Sequence, residues 1–189
     1  FQMFTGIVAQ LDGGGVYLRN NANGHNLTIQ YNKARYGGGA YLAGGGALVF
    51  STLMWNTATN AGGGVYASSS AASGNFMMDC TLSYNTSQDE GGGVSAVGNL
   101  NPIIDCTFLN NSAWTNGGGI YAYGGPIIGG GIFVDNFAGE RGGGICSFAT
   151  TSIVQCLFDQ NHSLNGGGTY IDKSAKLLSC VFKRNHGER

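Results

Sequence analysis

Asp79 and Asp105 each stand directly before a cysteine, at 79–80 and 105–106. Two carboxylates brought together could share a cation, or act as acid and base on a glycosidic bond. His162 and His186 each follow an asparagine. Stacked in space, they would offer part of a metal site, but no third ligand type accompanies them, so no metal or other cofactor is expected. Cys80, Cys106, Cys156 and Cys180 hold one motif position, two residues before a Phe or Leu. In a stacked structure Cys80 would neighbour Cys106, and Cys156 would neighbour Cys180. Two readings stay open: small buried thiols, or two disulfides of the kind an oxidising compartment supports. Cys146 lies outside that column and is expected to face outward as an odd thiol. The remaining carboxylates are scattered, and the sequence has no Ser/His/Asp set, phosphate loop or Cys-x-x-Cys.

These residues all recur on one spacing, and glycine marks it. GGG triplets start at Gly13, Gly37, Gly62, Gly91, Gly117, Gly142 and Gly166, in steps of 24, 25, 29, 26, 25 and 24 residues. A fixed period of this size signals stacked repeats. Two further triplets, 44–46 and 129–131, fall elsewhere in the repeat. A second motif keeps time with the first: an apolar residue, two variable residues, then Asn. It reads IQYN (29–32), LMWN (53–56), LSYN (82–85), FLNN (108–111), FVDN (133–136), FDQN (158–161) and FKRN (182–185). In FTGI (4–7), Ile7 stands where Asn is expected. Before the motif come short alternating apolar runs such as MMDCTL, IIDCTF, IVQCLF and LLSCVF. They are too short for helices and alternate as strands do.

Short strands, no amphipathic helix and about 25 residues per turn predict an all-β chain: a right-handed parallel β-helix of about eight coils. A left-handed helix would show a six-residue period, and a leucine-rich horseshoe would show its Leu spacing. Glycine permits the turn and close backbone stacking at each coil. The next column, Val16, Ala40, Val65, Val94, Ile120, Ile145 and Thr169, is expected inside. The one after it holds Tyr17, Tyr41, Tyr66, Ser95, Tyr121, Cys146 and Tyr170, so Tyr17, Tyr41, Tyr66, Tyr121 and Tyr170 are expected to form an outward aromatic ladder. Asn32, Asn56, Asn85, Asn111, Asn136, Asn161 and Asn185 are expected to form a buried structural ladder, because Asn tolerates left-handed backbone and its amide can bond neighbouring coils. Thr28, Thr52, Thr81 and Thr107 form an outward column that lapses at Ile132. Of the N-x-S/T sites, Asn26 and Asn110 suit glycosylation better than Asn85 and Asn161, which belong to the ladder.

With both motifs placed, the chain resembles the polymorphic outer-membrane-protein repeat family, which carries GGA-plus-aliphatic and F-x-x-N repeats. GGGVY (62–66) and GGGIY (117–121) stand for the first half, and 108–111, 133–136, 158–161 and 182–185 match the second. The resemblance spans nearly the whole chain. It implies a β-helix and a secreted adhesin or autotransporter passenger.

Composition narrows the rest. With 35 Gly but only 2 Pro, and 42% hydrophobic residues, the chain is neither collagen nor a flexible linker. A net charge of −1 and 10% charged residues give no basic surface for nucleic acid. No apolar run is long enough to span a membrane as a helix. The chain opens on Phe1 and is expected to be one β-helix domain over 1–189, a segment of a longer or polymerising protein. Its expected role is a non-enzymatic, extracellular or cell-surface rod, structural or adhesive. Its expected partners are neighbouring repeats, other copies end to end, or a surface glycan or receptor. The alternative is a carbohydrate-active lyase or hydrolase, which needs clustered carboxylates on one face. The loop 67–75 is the expected projection from the rod.

Overall fold

The computed structural model describes residues 2–69, 74–98 and 100–189. Each coil lays down four short strands, one in each of four sheets. In the coil at the centre, Thr107–Leu109 lies in sheet I, Ser112–Ala113 in sheet II, Ile120–Ala122 in sheet III and Ile127–Gly129 in sheet IV. The next coil repeats the path one layer along. Phe108 pairs with Phe133, Ala113 with Ala138, Ile120 with Ile145 and Ile128 with Ile153, all in parallel register. Among the described residues sheet I has eight strands and the other three have seven. The chain is a right-handed parallel β-helix of about seven turns, so the expected count of eight is reached only in sheet I. At the spacing of parallel strands the stack is about 34 Å long. Among the described residues there is no helix.

The interior is built from columns. Sheet I contributes Ile29, Leu53, Leu82, Phe108, Phe133 and Phe158, all fully buried. The rings of Phe108, Phe133 and Phe158 stack face to face at 4.7 and 4.8 Å. Sheet III contributes Ala40, Val65, Val94, Ile120 and Ile145, the column expected inside. Sheet IV adds Leu48, Met77, Ile103, Ile128 and Ile153. Sheet II faces the core with small residues alone: Ala34, Ala58, Ser87, Ala113, Ala138 and Ser163. Large rings on one wall thus meet small side chains beside them, which fills a narrow core without voids.

The triplet 117–119 shows why the glycines come in threes. Gly117 turns the chain with φ +67°, and a Cβ there would lie 2.3 Å from the Ile120 carbonyl oxygen. A Cβ on Gly118 would meet backbone oxygens of the next coil, Phe137 O at 2.4 Å and Gly143 O at 2.5 Å. One on Gly119 would lie 2.5 Å from Gly144 O of the next coil and 2.9 Å from the Phe133 ring. The first glycine serves the turn, the second the contact between coils and the third both that contact and the core aromatic. The additional triplet 44–46 has its own partner: buried Asn75 accepts hydrogen bonds from the Gly45 and Gly46 N–H groups at 3.1 and 3.0 Å.

The asparagine ladder is present and buried. Oδ1 of Asn136 accepts from the backbone N–H and from Nδ2 of Asn111, at 3.0 and 3.1 Å. Nδ2 of Asn136 donates back to Phe108 O and forward to Asn161 Oδ1, at 3.0 and 2.9 Å. The same four bonds recur at Asn56, Asn85, Asn111 and Asn161. At the first coil the Ile7 N–H donates to Asn32 Oδ1. One expectation needs correcting. The left-handed backbone belongs to the residue before each ladder Asn: Tyr31, Trp55, Tyr84, Asn110, Asp135, Gln160 and Arg184, with φ between 47° and 57°. The Asn itself is chosen for its amide. A second left-handed corner, between sheets IV and I, holds Asn26, Phe50, Asp79, Asp105, Gly130, Gln155 and Ser179.

Candidate functional site

The outer face of sheet III gathers a set of polar and titratable groups in one column. Its column runs Tyr17, Tyr41, Tyr66, Ser95, Tyr121, Cys146 and Tyr170 in register. Tyr17 and Tyr41 do stack in the open, at 4.8 Å and 4°, and Tyr41 meets Tyr66 at 5.2 Å. Beyond Ser95 the ladder departs from expectation. Tyr121 is only 7% exposed, and Ser95 and Cys146 are fully buried. Strand alternation sends these side chains outward, but neighbouring columns roof them over. Glu90 and Asn116, which precede glycine triplets, close one side, with Glu90 beside both Tyr121 and Asn116. Phe148 lies 6.0 Å from both Tyr121 and Tyr170, and the Arg141 guanidinium sits over the Phe148 and Tyr170 rings.

This roof changes the chemistry beneath it. Burial, reinforced by Asp89, raises the Glu90 carboxyl above its ordinary range, although Tyr121 and Asn116 oppose the shift. Burial also raises the Tyr121 phenol, and Glu90 adds to the effect. Burial pushes the Cys146 thiol up to about 12. Cys146 leaves the sheet on its outer side, as expected, but it is covered there and held protonated rather than exposed. Ser95 Oγ and Asn116 Oδ1 have no hydrogen-bond partner. Glu90 has other carboxylates near it: Asp89 acts on Glu90 itself, and Asp172 acts with Glu90 on Cys146.

The cysteine column is in register, and all five cysteines are free thiols. Cys80, Cys106 and Cys156 are buried, and Cys180 is partly exposed. Each thiol donates to the carbonyl two residues before it, at 3.2 Å for Cys80 and Cys106 and 3.3 Å for Cys156. Burial pushes Cys156 up to about 11. The folded chain is expected to expose at most one thiol, Cys180, to an aromatic disulfide reagent, and all five after denaturation. Its intact mass is expected to be the same with and without reductant. A gain of two hydrogens per bridge on reduction would instead establish the disulfides.

Asp79 and Asp105 do lie on adjacent coils, but at exposed left-handed corners with φ 51°. Asp tolerates that backbone, which accounts for both residues without a bound cation. The Thr column is continuous from Thr28 through Thr52 and Thr81 to Thr107, and Ile132 follows. Asn26 and Asn110 are exposed, whereas Asn85 and Asn161 are fully buried, as their ladder role requires. In the 67–75 loop, residues 70–73 lie outside the described residues.

Two arrangements escaped the sequence reading. Tyr31, Trp55 and Tyr84 form an exposed stack along the corner between sheets I and II, with centroids 5.0 and 5.7 Å apart. The signal was an aromatic residue before the motif Asn in three successive coils. Near the last coil, Glu188 joins His162 and His186, supplying the third ligand type found missing from the sequence.

A family description, right-handed β-helix region, matches residues 14–187. The chain belongs to the right-handed β-helix family. No curated protein gives a significant match to this β-helix. No helix among its described residues is long and apolar enough to cross a membrane.

Proposed function

We propose that this β-helix is a non-enzymatic rod of a cell surface or extracellular structure, acting by contact rather than by turnover. Domains of this family occur in both structural and enzymatic proteins, so the surface must decide. The observation that carries the reading is the exposed Tyr31–Trp55–Tyr84 stack. The other regular columns serve the rod itself: the Asn ladder, the glycine triplets, the core rings and the thiols are spent on packing. The aromatic stack holds three large side chains at 55%, 43% and 49% exposure without burying them. A ridge of exposed aromatics on a rigid frame marks a contact surface. The resemblance of its GGG-aliphatic and F-x-x-N repeats to the polymorphic outer-membrane-protein family supports an adhesin or passenger role.

Negative-stain electron microscopy with light scattering tests this. The expected result is rods a few nanometres long that associate end to end or laterally, or that bind a glycan or cell-surface array. Trp55→Ala is expected to reduce lateral association or array binding at least several-fold without changing the far-ultraviolet spectrum. Cleavage of a polysaccharide by the purified chain, abolished by Glu90→Gln, would replace this reading with the carbohydrate-active one.

A further inference from the structure

We propose that His162, His186 and Glu188 form a binding site for one divalent transition-metal ion with the ligand preferences of zinc. The site does not depend on the surface role argued above. His162 and His186 are direct partners on adjacent parallel strands of sheet II, His162–Asn165 and His186–Gly187. Their backbones are fixed by the coil before: His162 N–H donates to Asn136 O at 2.9 Å and His186 N–H to Asn161 O at 2.8 Å. Both side chains leave the sheet on its outer side, since Ser163 between coils is fully buried. Glu188 stands just past the end of that strand, where the chain brings its carboxylate alongside both rings. Its N–H donates to Leu164 O at 3.0 Å, so this residue too is tied to the rod. One ligand atom from each of the three lies within 4.8 Å of the others.

The donor set points to the class of ion. Two imidazole nitrogens and one carboxylate oxygen suit zinc and its neighbours, whereas calcium and magnesium call for oxygen ligands throughout. The geometry sets a condition. The two imidazoles now stack in parallel, 5.0 Å apart at 12°, with Phe137 stacked 5.4 Å beyond His162. An ion about 2.0–2.1 Å from each nitrogen in tetrahedral array needs those nitrogens about 3.3 Å apart. The rings must therefore turn toward each other. His186 and Glu188 are exposed and His162 is half-buried, so the rotation meets little packing. Phe137 restrains His162 on one side, which leaves His186 and Glu188 to do the closing. Three protein ligands leave the remaining position to water. Because His162 lies on one coil and the other two ligands on the next, the bound ion would staple two turns of the rod.

Isothermal titration of the untagged full chain with Zn²⁺ tests the site. The expected result is one ion per chain, with affinity falling at least about tenfold in His186→Ala and in Glu188→Gln. His25→Ala, which removes the third histidine of the chain in sheet IV near the opposite end, is expected to bind as the unaltered chain does. Co²⁺ gives a second readout, because visible bands of low coordination number are expected with the native chain and lost in Glu188→Gln. No zinc binding up to millimolar concentration would overturn the proposal. So would undiminished binding in Glu188→Gln, an exposed substitution that leaves the fold intact, since it would assign the ion to the thiols or elsewhere.

Discussion

Asn136→Ala is expected to destabilise the rod by about 4 kcal/mol, a large share of the stability of a domain this size. The substitution removes four hydrogen bonds at once, to Asn111 N, Asn111 Nδ2, Phe108 O and Asn161 Oδ1. The Asn111 N–H is then left buried without a partner, at about 1–3 kcal/mol. The cavity adds to this. Urea unfolding followed by circular dichroism measures the effect. The comparison is Asn110→Gly, one residue from a ladder position but exposed and left-handed with φ 52°. Glycine accepts that backbone, so the cost there is expected to stay within about 0.5 kcal/mol. Equal losses at the two positions would sink the ladder as the main polar support of the fold.

Gly118→Ala is expected to cost at least about 3 kcal/mol, or to prevent folding. The added methyl would lie 2.4 Å from Phe137 O and 2.5 Å from Gly143 O. Both obstacles are backbone in the next coil, so no side chain can move aside. The coils themselves would have to separate, breaking the parallel ladder on either side. Gly6→Ala provides the contrast. Gly6 also has a left-handed backbone, φ +68°, but its Cβ would meet nothing within 4 Å. Its cost is expected to be the conformational term alone, about 1 kcal/mol. Thermal melts of the two variants separate contact between coils from turn strain. If Gly118→Ala melted with Gly6→Ala, the middle glycine would be a turn residue like the first.

The repeat made most of the fold legible. The triplet spacing and the F-x-x-N motif fall on the same coil positions in sequence and structure, because a solenoid places every equivalent residue in one column. The buried Asn column followed from the motif, as did the inward column from Val65 to Ile145. Other features depend on what lies beside a column, which a period cannot report. Tyr121 and Cys146 point away from the core as alternation demands, yet Glu90, Asn116, Arg141 and Phe148 cover them from adjacent columns. The left-handed position was assigned one residue late. The tolerance of Asn for that backbone is real, but at 110–111 the turn uses Asn110 and the ladder uses Asn111. Glu188 lies beyond the two-residue strand His186–Gly187, where the repeat pattern ends and no longer assigns a side. The Tyr31–Trp55–Tyr84 stack was visible in IQYN, LMWN and LSYN, at positions treated as variable.

The asparagine ladder also gives the rod a polarity. From Asn56 to Asn161 the amide oxygen receives from the coil before and one nitrogen hydrogen passes on to the coil after, as Asn136 does between Asn111 and Asn161. The amide dipoles therefore point one way along the axis, and each bond polarises the next. The column starts on a main-chain donor, because the Ile7 N–H takes the Asn32 oxygen where an amide would otherwise stand. The rod is thus a vector as well as a stack: reversing its direction would set amide donor against amide donor at every layer.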